Sequence, residues 1–188
     1  SYLEWGKNCL HKFNGMWAFA IWDEQDKELF LARDRFGIKP LYYSHSSVDQ
    51  KFVFASETRA FKFLDGYKRE IDEELLKINL QDTYALEGLG YTPFKSIYQL
   101  LPGHYMLIKK KYLFNQKRWW HIEDHLHNEI PNTLKDQAEK FYQLLKDACR
   151  IRLISDVPVA TALSGGIDSS SVYSIVNDIL LNENNLRV

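Results

Sequence analysis

The sequence predicts two folds in series: an α+β domain of antiparallel sheets with helices, then the first helix, strand and helix of an α/β domain. Three observations carry this. Residues 15–108 hold runs of aromatic and β-branched residues set off by polar turns, with two helical stretches between them. Beyond Pro131 the apolar period lengthens to that of an amphipathic helix. A continuous apolar run then meets Ser-Gly-Gly and passes into a second amphipathic helix, which is the order of an α/β unit.

Taken in order, "SYLEWGKNCLHKF" is a helix carrying Leu3, Leu10 and Phe13. It lacks the basic start and apolar centre of a signal peptide, so the chain is expected to begin inside a domain. "GMWAFAIWDEQDKELFLAR", residues 15–33, reads as a hairpin turning at "DEQDK". "PLYYS" and "KFVFAS" continue the strands around a polar loop at 45–50, with Phe52 and Phe54 on one face and Val53 and Ala55 on the other. Several of these strands are apolar on both faces, so the sheet is expected to be covered on both sides. "SETRAFKFL" is a short helix with Ser56 as its N-cap. "DEELLKINLQDTYALEGLGY" has helical spacing at Leu75, Ile78 and Leu86, with acids in its first turn to complement the helix dipole. "FKSIYQLLPGHYMLIKKKYLF" returns to strand around the turn "LPGH".

"NQKRWWHIEDHLHNEIPN" is polar and irregular and reads as a linker, which sets the expected boundaries at 1–115, 116–132 and 133–188. After it, Leu134, Ala138, Phe141, Leu145 and Ala148 mark one helix face, with Thr133 and Asp136 as a capping pair. "DVPVATAL" is a short apolar strand suited to the middle of a parallel sheet. Val172, Ile175, Val176, Ile179 and Leu180 then form the buried face of a helix, and "NNLRV" reads as the start of a second parallel strand.

Composition narrows the function classes. The chain is 45% hydrophobic and 14% aromatic, enough to bury a core. Its 24 Lys and Arg against 25 Asp and Glu leave no long-range field to gather nucleic acid or an anionic membrane surface. No stretch reaches the roughly 18 uninterrupted apolar residues of a membrane span. Cys9 and Cys149 lie far apart, outside any metal-ligand spacing, and read as reduced core thiols of a cytoplasmic protein. His121, His125 and His127 with Glu123 and Asp124 have no rigid scaffold and read as solvated linker rather than a metal site. Lys109, Lys110 and Lys111 read as a solvated turn. Trp119 and Trp120 read as packing the linker onto a domain.

The chemistry concentrates in "LSGGIDSS", Leu163, Ser164, Gly165, Gly166, Ile167, Asp168, Ser169 and Ser170. A strand ending in Ser-Gly-Gly and turning into a helix exposes consecutive N–H groups at the helix's positive end. Gly165 and Gly166 admit positive φ and let an anion approach the main chain. Ser164, Ser169 and Ser170 add hydroxyls, and polyphosphate suits such a nest. No lysine follows the glycines, so this is not the Walker loop, and the Rossmann glycine pattern is absent. Asp168 would repel bare phosphate but suits a Mg²⁺ bridging to it. The plainer reading is a glycine-rich turn capping an ordinary helix.

"SGGIDSS" resembles the pyrophosphate loop of ATP pyrophosphatases. "FNGMWAFAIWDEQDKELFLARDRFGIKPLYY", "FASETRAF" and "LPGHY" resemble the later half of the glutaminase domain of class II glutamine amidotransferases. In series with "RLISDVPVATALSGGIDSS", the whole resembles the glutamine-hydrolysing asparagine synthetase family of the bacterial B type, present as an internal fragment. The resemblance implies an Ntn-type glutaminase fold of paired antiparallel sheets between helices, followed by an adenine-nucleotide-binding synthetase domain. It implies ATP and Mg²⁺ as cofactors, with glutamine and aspartate as substrates. Glutamine would supply ammonia, and aspartate would be activated as its β-aspartyl adenylate, yielding asparagine, glutamate, AMP and pyrophosphate. A passage closed to water would keep the ammonia from protonation and loss. The resemblance allows a homodimer of the full-length protein.

In this family the nucleophile is an N-terminal cysteine whose own amine is the base. Here that residue and the glutamine-binding residues are expected upstream of residue 1; Ser1 and Cys9 are not substitutes, so no catalytic residue is assigned within the chain. Asn14-Gly15 is structural rather than the family's oxyanion pair. In "ARDRFGIKPLYY", Gly37 and Pro40 shape a turn and Arg33-Asp34 is an internal ion pair. The adenine and aspartate pockets are expected beyond Val188, and the 188-residue chain alone is expected to be inactive. Two alternatives stay open: amidation of another carboxylate, such as a sugar acid or a β-lactam precursor, and a non-catalytic remnant acting as a binding module.

Overall fold

The fold is that of a computed structural model, described for residues 1–45, 51–109, 115–126 and 130–182. Residues 46–50 of the polar loop, Lys110, Lys111, His127 and the stretch "NNLRV" lie outside the described residues. The chain divides into two compact units, Ser1–His125 and Leu126–Val188.

The first unit holds seven strands among its described residues: β1 (Ala18–Asp23), β2 (Glu28–Arg33), β3 (Tyr42–His45), β4 (Phe52–Ala55), β5 (Tyr98–Gln99), β6 (His104–Ile108) and β7 (Lys117–Arg118). They form two antiparallel sheets, ordered β1-β2-β6-β7 and β4-β3-β5. The expected hairpin forms with Ala18 opposite Arg33 and Asp23 opposite Glu28. The Asp23 carboxylate closes its turn by accepting the N–H groups of Gln25 and Asp26, at 3.0 and 3.1 Å. The turn "LPGH" carries the chain from one sheet to the other, since β5 pairs with β3 and β6 with β2.

Strand β2 is covered on both faces, as its two-sided apolar pattern predicts. Phe30 and Ala32 pack with Cys9, Leu10 and Tyr105. Leu31 points the other way, into Leu41, Tyr43, Leu100 and Met106. The first cluster lies under α1 (Tyr2–Trp5) and the 3₁₀ turn Gly6–Lys12 that comes after it. The tighter turn changes the helical period, so Leu10 is buried while Leu3 is fully exposed, against the single apolar face expected. The helix expected at residues 56–64 is a 3₁₀ turn, Thr58–Phe63, and Ser56 does not cap it. Glu57 holds the cap position with no side-chain bond, and Ser56 stands one residue too early to reach the first N–H groups. Helix α2 (Glu73–Gln81) begins at Asp72, whose carboxylate accepts the Leu75 N–H at 3.1 Å. Leu86 lies beyond its end, buried in the next segment.

In the second unit, α3 (Leu134–Arg152) starts at the expected capping pair: Thr133 Oγ1 accepts the Asp136 N–H and donates to the Asp136 carboxylate. Helix α4 (Ile167–Asn182) packs on it through Ile175 and Ile179, flanked by Val172 and Val176, against Leu145, Cys149 and Leu153. The stripes extend further than their cover: Leu134, Phe141 and Leu180 stay exposed. Residues 156–163 form no strand. They are exposed, and a strand exists only where a neighbour completes its ladder.

Candidate functional site

Residues 163–170 lead from that exposed segment into the first turn of α4. Gly165 takes φ +81°, and a Cβ added there meets no atom within 4 Å. Gly166 needs no positive φ, so the freedom expected of both glycines is used at one. The two serine hydroxyls of Ser164 and Ser169 lie 3.0 Å apart, and Ser169 Oγ donates to the Gly166 carbonyl at 3.1 Å. They brace the turn from inside. Ser170 N–H donates to the Gly166 carbonyl at 3.1 Å, which starts the helix. The N–H groups ahead of it have no acceptor four residues back within α4 and face outward from its positive end. Asp168 stands exposed in that first turn, and Leu163 is exposed at the start of the loop.

Beside the loop is a shallow depression of about 480 Å³, lined by Gly165, Gly166, Ile167, Ser170, Ser174 and, from α3, Tyr142. The structure thus brings Gly165, Gly166 and Ser170 to one hollow, while Leu163, Ser164, Asp168 and Ser169 lie outside its lining. Ser174 and Tyr142 carry no motif of their own in the sequence. The helical spacing of Ser170 and Ser174 in "SSSVYS" is the signal for the first; nothing local signals Tyr142, which comes from another helix.

The second motif, "ARDRFG", is architectural in a different way from that expected. Arg33 and Asp34 are buried but do not form a hydrogen-bonded ion pair; each binds main chain. The Asp34 carboxylate accepts N–H groups from Trp17, Phe36, Ile38 and Lys39, all at 3.0–3.1 Å. Arg33 donates to the carbonyls of Lys39, Leu100 and Gly37 at 2.8, 2.6 and 2.5 Å. Buried backbone groups need partners, and both side chains are consumed in supplying them. Burial draws the guanidinium below its usual value, and the nearby Asp34 charge opposes that. Gly37 has φ +66°, and a Cβ there would meet Pro102 Cγ at 2.8 Å.

The other candidate residues take structural places. Gly15, at φ +109°, donates its N–H to Asn14 Oδ1, a local turn. Burial pushes the Cys9 thiol up, away from the nucleophilic thiolate. The Trp119 indole stacks on Trp17, and His125 stacks on Trp120. His121 Nδ1 is 3.7 Å from Glu123. Among the described residues no helix is long and apolar enough to cross a membrane.

Residues 1–120 match the model of a family described as a glutamine amidotransferase domain. The chain belongs to that family. Residues 140–182, which hold the loop and α4, match the asparagine synthase family model. Asparagine synthetase [glutamine-hydrolyzing] 3 of Bacillus subtilis is 37% identical over 179 residues, covering 93% of this chain and 27% of that protein. Amidase chyE of Penicillium rubens is 34% identical, covering 95% of this chain and 26% of that protein. A putative asparagine synthetase [glutamine-hydrolyzing] 2 of Methanocaldococcus jannaschii is 33% identical, covering 94% and 34%. The chain therefore spans about a quarter to a third of the length of these curated relatives.

Proposed function

We propose that this glutamine amidotransferase chain is part of an enzyme that makes asparagine from aspartate, with glutamine as nitrogen donor and ATP as the activating substrate. One observation carries the reading: a glutamine amidotransferase match over residues 1–120 is followed in the same chain by "SGGIDSS" at the start of α4, within the stretch matching asparagine synthase. In this reading water releases ammonia from glutamine, leaving glutamate. The aspartate carboxylate takes AMP from ATP, releasing pyrophosphate, and ammonia then displaces AMP to form the amide. Adenylation is needed because a carboxylate oxygen is a poor leaving group.

The loop's residues fit such a substrate. Gly165 leaves the main chain bare to an anion, and the outward N–H groups of α4 would hold the pyrophosphate end, with Ser170 and the braced Ser164 and Ser169 beside them. Asp168 would hold Mg²⁺, which would neutralise the phosphate charge that Asp168 alone would repel. The amidase relatives favour one second reading, transfer of the same nitrogen to a carboxylate other than aspartate.

The test is an acceptor screen on the protein encoded by the complete reading frame, monitoring pyrophosphate release with glutamine present. Aspartate is expected to give the highest rate, and Asp168→Ala to lower it on the order of a hundredfold while sparing glutamine hydrolysis. A higher rate with another carboxylate selects the second reading, and no pyrophosphate release with any carboxylate sinks both.

A further inference from the structure

Asn14, Gly15 and Met16 form an exposed arch between two fixed posts. On one side the Phe13 carbonyl accepts from Arg35 Nη1 at 2.7 Å, and the Phe13 ring meets Trp17 and Phe19 edge-on. On the other, Trp17 exchanges bonds with Asp34. Its N–H donates to the Asp34 carboxylate at 3.1 Å, and its carbonyl accepts the Asp34 N–H at 2.9 Å. Both rings pack against the first buried cluster, so the posts hold the arch in shape. In that shape the Gly15 N–H donates to Asn14 Oδ1 at 2.9 Å, which sets the Gly15 nitrogen against the carboxamide of the residue before it. Gly15 has φ +109°, and a Cβ there would meet nothing within 4 Å, so no side chain shields the nitrogen and water reaches it freely. Asn14 is the only asparagine of the sequence that precedes a glycine.

We propose that Asn14 is a site of spontaneous covalent modification, because the folded arch presents the Gly15 nitrogen to the Asn14 side chain as a near-attack pair. The Gly15 nitrogen gives its proton to water or hydroxide and bonds to Asn14 Cγ. The bond from Cγ to Nδ2 breaks, and ammonia leaves with a proton from solvent, closing a succinimide. Water then opens the ring. Breaking the new bond between nitrogen and Cγ leaves aspartate; breaking the original peptide bond leaves isoaspartate, whose main chain runs through the side-chain carbons. Either product puts a carboxylate on the arch. Isoaspartate also adds a carbon to the main chain between Phe13 and Trp17, which slackens the hold of Asp34 on Trp17. Asn79 in α2 and Asn177 in α4 lack this arrangement, since the nitrogen after each donates along its helix to the carbonyl four residues back.

The experiment incubates the protein encoded by the complete reading frame in mildly alkaline buffer and follows Asn14 by peptide mass mapping. The synthetic peptide HKFNGMWA, residues 11–18, is the unfolded reference. Conversion in the folded protein should be on the order of threefold faster than in the peptide, with Asn79 and Asn177 intact. Asn14→Gln, whose longer side chain closes the ring poorly, should lower conversion at this position on the order of a hundredfold. Tm should fall with conversion in the wild type and hold steady in Asn14→Gln. Conversion slower in the protein than in the peptide overturns the proposal, since the fold would then keep the two groups apart. Conversion at Asn79 or Asn177 as fast as at Asn14 overturns it too. A wild-type Tm that stays level through full conversion overturns the effect assigned to the longer main chain.

Discussion

Asp34 and Asp168 each stand beside a glycine with positive φ, Gly37 and Gly165, in a loop that comes after an apolar run. The two units use these ingredients in opposite ways. Around Asp34 the carboxylate accepts four main-chain N–H groups, the Asp34 carbonyl accepts that of Gly37, and Arg33 donates to three carbonyls. Around Asp168 the Ser164 and Ser169 hydroxyls bond to each other, to one carbonyl and, at 3.4–3.5 Å, to the N–H groups of Ser164 and Gly166, while no carboxylate takes the first-turn N–H groups of α4 and Asp168 itself is exposed. A loop that satisfies its own backbone is architecture. One that braces itself and leaves donors outward is suited to a ligand.

The sharpest way to break this comparison is Asp34→Ala. It strips an acceptor from four N–H groups at a position only 1% exposed, so the first unit should lose about 3 kcal/mol or more, read by urea denaturation with tryptophan fluorescence as the signal. A loss under about 1 kcal/mol would mean that water replaces the carboxylate and that the loop is not self-sufficient. Asp168→Ala is the counterpart. It removes a charge favourable to the N-terminus of α4 and no bonded partner, so its stability effect should stay below about 1 kcal/mol while the effect on pyrophosphate release is large. A large stability loss there would move Asp168 to the architectural side.

Which of the two roles a loop plays was only half legible in the sequence. The hairpin of β1 and β2, the cap at Thr133, and the buried face of α4 are set by neighbours within a few residues, and local spacing reports such neighbours. The positive φ of Gly165 at the helix start was legible for the same reason. The partners of Asp34 and Arg33 were not: Trp17 is 17 positions back and Leu100 is 67 away, so adjacency suggested an ion pair where tertiary structure supplies main chain. Periodicity likewise marked the stripe of α3 but not its cover, and Leu134 and Phe141 are exposed. The apolar run at 156–163 carries a strand's composition, but composition contributes no ladder partner. At the site, the bond between Ser164 and Ser169 crosses the turn five positions apart, and Tyr142 reaches the hollow from α3.

A third aspartate lies between the two extremes and gives the smallest expected effect. Asp178 on α4 accepts from Lys146 Nζ on α3 at 2.8 Å and also from the Asn182 side chain. The Lys146 hydrogen bond, then its charge, hold the carboxyl below its ordinary value. Because the folded value is the lower one, the stabilisation is fully present above the unfolded value of about 3.9 and disappears as pH falls through the folded value. Asp178→Asn should therefore lower the Tm of the second unit slightly at neutral pH, in keeping with a solvent-accessible pair. The deficit should shrink through the acid range below about pH 4 and vanish once the wild-type carboxyl is protonated. A deficit of the same size at both ends of that titration would mean that asparagine disturbs the contact between α3 and α4 rather than its charge. Asp178 would then rank with Asp34, a residue whose bonds hold its neighbours in place, and the outward-facing Asp168 would be the exception among the three.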